Sequence, residues 1–146
     1  MRQLPLWLAA AWAMSLTVVG LMVVPMLFVH LPTPAMAGQM AAKLFAAQTW
    51  VSVVCGALLL MTFRSNQPLM PVNTAQAATL FVVAGVLLAL LVELAVAPRI
   101  VARDNLALWH KAGSAMYFTQ WVCALVVFAK LAAAATKASH TAPESA

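Results

Sequence analysis

The sequence predicts an all-α fold, a bundle of four transmembrane helices, and three observations support that prediction. Apolar residues make up 65% of the 146 residues, only 8% are charged, and the mean hydropathy is +0.97. Soluble domains carry about 25% charged residues. The apolar residues fall into four long runs, whereas the strands of a membrane barrel would alternate in segments of about ten residues. We therefore expect lipid to be the main solvent of this chain.

Each run is long enough to cross a hydrocarbon core of about 30 Å, which takes roughly 20 residues at 1.5 Å each. The four predicted spans are about 4–29, 43–63, 75–98 and 112–134. Together they form one transmembrane domain, 1–136, and a disordered tail is expected at 137–146. The first run is far longer than the apolar core of a signal peptide, so we expect a retained helix.

The connectors justify the helix boundaries in chain order. Thr33 before Pro34 is predicted to cap the second helix, which begins near Pro34, lies partly in the interface and enters the bilayer near Lys43. Asn73 or Thr74 is predicted to cap the third span. That span is expected to end at Pro98, and the segment 100–109 is expected to lie in the interface.

Small residues predict where the helices pack, because helices in lipid associate through close backbone contact rather than through hydrophobic burial. The small pairs at i and i+4 are Ala11 with Ser15, Ser52 with Gly56, and Gly85 with Ala89. Cys55 and Cys123 lie in apolar runs and are predicted to be small buried residues. The predicted packing tryptophans are Trp12, Trp50 and Trp121, while Trp7 and Trp109 are expected at the interfaces.

Four spans place both termini on one side of the membrane and gather most ionisable residues on the other. The residues expected at that second face are His30, Lys43, Glu93, Arg99, Arg103, Asp104, His110 and Lys111. Glu93 lies five residues before Pro98, roughly 7 Å below the predicted helix end. A carboxylate at that depth is costly unless it is protonated or paired with a cation. The charge is therefore predicted to cluster at one mouth of the bundle.

The candidate ligand-binding residues at this mouth are Glu93, Arg99 and His110, with Lys43 as a counter-ion. Two interpretations of Glu93 stay open. In one, an ion pair with Arg99 or Lys43 clips the third span to its neighbours. In the other, the carboxylate binds a proton or a ligand, as intramembrane acids often do.

A metal or haem site is the alternative hypothesis. His30 and His110 come from different spans but the same face, so two imidazoles could ligate haem b or copper. Met26 stands four residues before His30 on one helical stripe and adds a soft donor for Cu(I). Interfacial histidines also commonly hydrogen-bond to the backbone or to headgroups, which is the structural interpretation of the same residues.

Other classes of function are disfavoured. The net charge of +5 comes from scattered cations without interleaved aromatic residues, so nucleic acid is not an expected partner. The chain shows no nucleophile elbow, phosphate loop, HExxH or CxxC motif. We therefore favour a non-enzymatic integral membrane protein that binds a ligand, passes a small solute or assembles with a partner. The expected partners are the lipid bilayer and a second copy or another membrane protein.

Several short motifs resemble those of the transmembrane protein 205-like family. In order they are Trp12-Ala13-Met14, Val24-Pro25-Met26-Leu27-Phe28, Ala42-Lys43-Leu44-Phe45, Ala97-Pro98-Arg99 and His110-Lys111-Ala112-Gly113-Ser114. The resemblance runs from the first span to the fourth and implies four membrane helices with no assigned activity. A more distant similarity to copper-resistance membrane proteins and to haem-dependent protoporphyrinogen-oxidising proteins implies the haem or copper alternative.

Short connectors favour a multi-pass protein of a bacterial inner membrane. Cations are nearly balanced between the two faces, and the first helix usually dominates orientation. Arg2 directly precedes that helix, whereas Lys43 lies well beyond its end. We therefore expect both termini in the cytoplasm.

Overall fold

The computed structural model describes residues 3–64 and 72–140, and every regular element in these ranges is helical. In chain order the elements are α1 (Leu4–Thr17), a π-helical segment (Val18–Val23), α2 (Val24–His30), α3 (Pro34–Arg64), α4 (Val72–Leu91), a second π-helical segment (Val92–Val96), α5 (Ala97–Val101) and α6 (Leu106–His140).

These elements form four helices that are long and apolar enough to cross a membrane. The first span is Leu4–His30, the second Pro34–Arg64, the third Ala75–Val101 and the fourth Leu106–Lys137. Even the shortest has 27 residues, or about 40 Å of helix, so every span can reach from one headgroup region to the other. The predicted all-α bundle of four transmembrane helices is confirmed, and the chain is a multi-pass membrane protein.

The described boundaries differ from the predicted ones mainly at the third connection. The third span continues past Pro98 to Val101, and the fourth begins at Leu106, so only Ala102–Asn105 separates them. Thr33 caps the second span as predicted, because its hydroxyl oxygen accepts a hydrogen bond from the Met36 N–H at 3.3 Å. Residues 137–140 of the predicted tail continue α6, and 141–146 lie outside the described residues.

Two prolines explain why two spans contain π-helical segments. Pro25 and Pro98 each occupy the second position of the α-helical piece that follows such a segment. Proline has no N–H and its ring clashes with the carbonyl four residues earlier, so a regular α-helix would kink or end there. A wider π turn absorbs the conflict and lets the helix continue. The third span therefore does not end at Pro98, as predicted from the sequence, but continues to Val101.

Many large apolar side chains face outward, and the interior combines small and polar residues with a few large ones such as Leu16 and Leu59, as expected in lipid. Each span contacts the spans before and after it, and the first also contacts the fourth, which closes the bundle. Trp12 is fully buried as predicted, but the prediction for Trp50 was wrong, since 67% of Trp50 is exposed. Successive helix positions are 100° apart, and the buried neighbours Thr49 and Ser52 take the inner face.

Two glycines allow the closest helix contacts. A Cβ atom added to Gly85 would lie 2.7 Å from Cη2 of Trp12, so the third span approaches the indole of the first directly. A Cβ atom on Gly56 would collide with Val86 of the third span. The predicted small pairs of the second and third spans therefore lie at interfaces, whereas Ala11 of the first span is exposed.

We expect Gly85→Ala to lower the free energy of unfolding by about 1–3 kcal/mol, because the new methyl group overpacks against a fully buried ring. Gly38→Ala is the matched control, since nothing lies within 4 Å of its added Cβ atom. That control should gain up to about 1 kcal/mol from reduced backbone freedom. Reversible unfolding in mixed micelles measures both, and equal stabilities would contradict the close contact.

Candidate functional site

A cavity of about 470 Å³ lies between the four spans. Its lining runs from Leu16 to Phe28, Gly38 to Phe45, Val92 to Val101 and His110 to Trp121. All four ranges belong to the half of each span that adjoins the two short connections, Leu31–Thr33 and Ala102–Asn105. The lining is mainly apolar with a few polar groups, which is the usual character of a small-molecule site. The cavity therefore lies in one half of the bundle, the half next to the two short connections.

The polar side of the cavity is a stripe along the fourth span. His110, Ser114, Tyr117 and Trp121 follow one another at i, i+4, i+7 and i+11, which places them on one helix face. All four line the cavity. Of these four residues, only His110 was predicted as a site residue. Ser114, Tyr117 and Trp121 were not, although their helical spacing is present in the sequence. A search for polar residues at that spacing would have found the whole stripe.

Tyr117 and Trp121, the two deeper residues of the stripe, form hydrogen bonds with the first span. The Tyr117 hydroxyl donates to the Leu16 carbonyl oxygen at 2.8 Å, and the Trp121 Nε1–H donates to the Thr17 hydroxyl at 2.8 Å. Gly20 leaves room for the tyrosine, because an added Cβ would lie 2.6 Å from its ring. These bonds fix the floor of the cavity between the first and fourth spans.

At about the depth of this floor, amides and hydroxyls inside the bundle join three spans. Gln48 donates to the Ser15 hydroxyl at 3.0 Å, and Gln120 donates to the Ser52 hydroxyl at 2.8 Å. The hydroxyls of Ser15 and Ser52 in turn donate to carbonyl oxygens of their own helices. The first, second and fourth spans are therefore tied together in the membrane interior by polar contacts that close the bundle below the cavity.

Glu93 contributes the acidic group of the cavity. It belongs to the π-helical segment Val92–Val96, and its side chain is half-buried in the lining. No hydrogen bond or ion pair joins Glu93 to any residue within 3–64 and 72–140. Neither of the two predicted counter-ions, Arg99 and Lys43, is in contact with the carboxylate there. The structure thus brings Glu93 and His110 to one cavity and leaves the predicted cations outside it.

Arg99 instead belongs to the third connection. Its guanidinium lies 4.5 Å from the centre of the Trp109 ring and 4.0 Å from the Asp104 carboxylate. The Asp104 N–H also donates to the Arg99 carbonyl oxygen, at 3.1 Å. This exposed cluster bridges the ends of the third and fourth spans, with Arg103 and Asn105 in left-handed backbone conformations between them. Lys43 is exposed on the second span and does not line the cavity.

The residues of the haem or copper hypothesis are not gathered in the cavity. His110 lines it, whereas His30 and Met26 are exposed at the end of the first span. Nδ1 of His30 lies 3.0 Å from the Met26 carbonyl oxygen, within hydrogen-bonding distance of its own helix. Among the described residues no group of three His, Cys, Asp or Glu side chains is arranged to hold a metal ion.

Comparison with known families gives one match. Residues 7–108, more than two thirds of the chain, match the model of a family described as a domain of unknown function (DUF4149). The match covers the first span from residue 7 onward and the whole of the second and third spans, including Glu93 and Arg99, and it ends two residues before His110. The comparisons with curated proteins and with solved structures found no match.

We expect Gln120→Leu to lower the free energy of unfolding by about 0.6–1.7 kcal/mol, because the hydrogen bond to Ser52 in the membrane interior is lost. Thr119→Val is the control, since that exposed hydroxyl bonds only to the Ala115 carbonyl of its own helix. The control should change stability by less than about 0.5 kcal/mol. Ser52→Ala should then be combined with each variant. The changes in the free energy of unfolding should be non-additive with Gln120→Leu and additive with Thr119→Val. Additive changes in both combinations would contradict the hydrogen bond.

Proposed function

We propose that this chain, which belongs to the DUF4149 family, binds a small, mostly apolar molecule that enters the cavity from the surrounding lipid. The observation that carries the proposal is the cavity itself, about 470 Å³ in volume and lined by all four spans. Ligand sites of about 300–1,000 Å³ with apolar walls and few polar groups are typical of proteins that bind small molecules. Binding is a non-enzymatic role and needs no group beyond those in the lining.

The closed lower half of the bundle favours binding over passage of a solute. A pathway would have to continue past Tyr117 and Trp121 into the region of Gln48, Ser52 and Gln120. That region is packed, with Ser52 fully buried and Gln48 and Gln120 nearly so. Trp12 and Leu16 fill the adjacent space and are also fully buried. A solute entering the mouth would therefore meet a floor.

The haem or copper alternative draws less support from the geometry. Two imidazoles that share one ligand must approach the same point, and only His110 of the pair lines the cavity. We also propose that the chain is related to the transmembrane protein 205-like family. Its proposed location is a bacterial inner membrane, with both termini in the cytoplasm. These proposals rest on the motif order and on the balance of cations described above.

A brominated long-chain alcohol is a suitable probe, because bromine quenches indole emission on contact and Trp121 lines the cavity. Purified protein in micelles should show saturable quenching that an unbrominated alcohol reverses. Replacing Trp121 with Phe should remove that component, while quenching of the exposed Trp7 and Trp50 continues. Quenching that rises in simple proportion to the probe, with no reversal, would contradict a defined site.

We expect Gly38→Leu to abolish the saturable component, because position 38 lines the cavity and has open space beyond its Cα atom. Ala47→Leu is the control, since it places the same leucine side chain at an exposed position of the same helix. The affinity of this control for the probe should stay within about twofold of that of the parent chain, a difference well below about 1.4 kcal/mol in binding free energy. Full binding by Gly38→Leu would count against the cavity as the site.

A further inference from the structure

We infer that the bound molecule carries a primary amine, held in its protonated form at the mouth of the cavity by Glu93, His110 and Ser114. The inference rests on the proposed function, because it names the class of ligand that the same cavity selects. The occupant is then a single-chain or ring-bearing amphiphile. Its ammonium group lies beside Glu93 and its apolar part runs toward Leu16, Phe45 and Tyr117.

The hydroxyl of Ser114 is the first indication. Nine other serine or threonine side chains of the described residues lie in hydrogen bonds, most often with a carbonyl of their own helix. These residues are Ser15, Thr17, Thr33, Thr49, Ser52, Thr62, Thr79, Thr119 and Thr136. No hydrogen bond joins Ser114 to any residue of 3–64 or 72–140. A hydroxyl left unpaired in an otherwise satisfied set is available to a ligand.

Glu93 supplies the charge that selects the ligand. A carboxylate among apolar side chains is stabilised when a cation reaches it, and within the described residues no ion pair does so. The cations of this face are Lys43, Arg99, Arg103 and Lys111, none of which lines the cavity. Arg99 is already held by Asp104 and Trp109. A ligand that brings its own positive charge gains this interaction, whereas an anionic headgroup would be opposed to the carboxylate.

The number of acceptors points to a primary amine rather than to another cation. An alkylammonium group has three N–H donors. The cavity mouth offers a carboxylate oxygen of Glu93, the hydroxyl oxygen of Ser114 and a ring nitrogen of His110. His110 and Ser114 stand one helical turn apart on the stripe, facing the third span that carries Glu93. A quaternary ammonium has no N–H and would instead require aromatic faces around it.

The test compares four probes of equal chain length as competitors of the brominated alcohol: dodecylamine, dodecanol, dodecyltrimethylammonium and dodecanoate. Dodecylamine should bind the parent chain at least tenfold more tightly than dodecanol, a difference of about 1.4 kcal/mol. Glu93→Gln should remove this preference, because a neutral amide no longer attracts the ammonium group. Ser114→Ala should lower the preference by roughly threefold, because two of the three acceptors remain.

Asp104→Asn is the matched control for a less specific effect, in which negative charge at the membrane face attracts the amine without binding it in the cavity. It removes a negative charge from the same membrane face but outside the cavity, and should leave the preference for amine intact. Reversible unfolding in mixed micelles shows whether each variant is folded, independently of binding.

Three results would overturn the inference while the proposed function stands: equal binding of amine and alcohol, tighter binding of the anion or the quaternary ammonium, or a preference that survives Glu93→Gln. Loss of the preference in Asp104→Asn as well would also overturn it. A chain that binds no probe saturably would overturn the proposed function and the inference together.

Discussion

The architecture depends on the solvent being lipid, which removes the hydrophobic effect as a force that draws helices together. What remains is close packing and polar contact, and the bundle uses both at its centre. Trp12 packs directly on Gly85, while Gln48 and Gln120 reach the hydroxyls of Ser15 and Ser52. A polar side chain on the outer surface would lie in hydrocarbon without a partner. The same constraint lets many large apolar residues face outward, and it makes a polar group without a partner in the cavity lining, such as Ser114, informative.

Much of the fold could be predicted from the sequence because its signals are long or local. Four apolar runs define the spans regardless of which side chain faces which neighbour, and Thr33 before Pro34 defines a helix start through a single turn of backbone. The end of the third span was harder to predict from the sequence. Pro98 normally stops a helix, but here the π-helical segment Val92–Val96 before it packs against the second and fourth spans and lets the helix continue.

The candidate site was predictable only in part, because residues that share a membrane face need not share a helix face. Glu93 and His110 line one cavity, but Arg99 follows Glu93 by six residues and the intervening π turn, so it lies at the connection with Asp104 and Trp109. Depth along a helix follows from position in the sequence, whereas rotation toward a neighbour depends on packing. The stripe from His110 to Trp121 was a rotational signal for this cavity that the sequence did contain, since its spacing repeats every helical turn.

The open space at Gly38 also makes the site accessible to chemistry that the native chain does not provide. The only two cysteines of the chain, Cys55 and Cys123, are both buried in the bundle. A Gly38→Cys substitution would place a single reachable thiol at the cavity wall, in a background whose own thiols are shielded from alkylating reagents. A spin label or fluorophore attached there would report on occupancy of the cavity, without the preliminary removal of native cysteines that membrane proteins usually require.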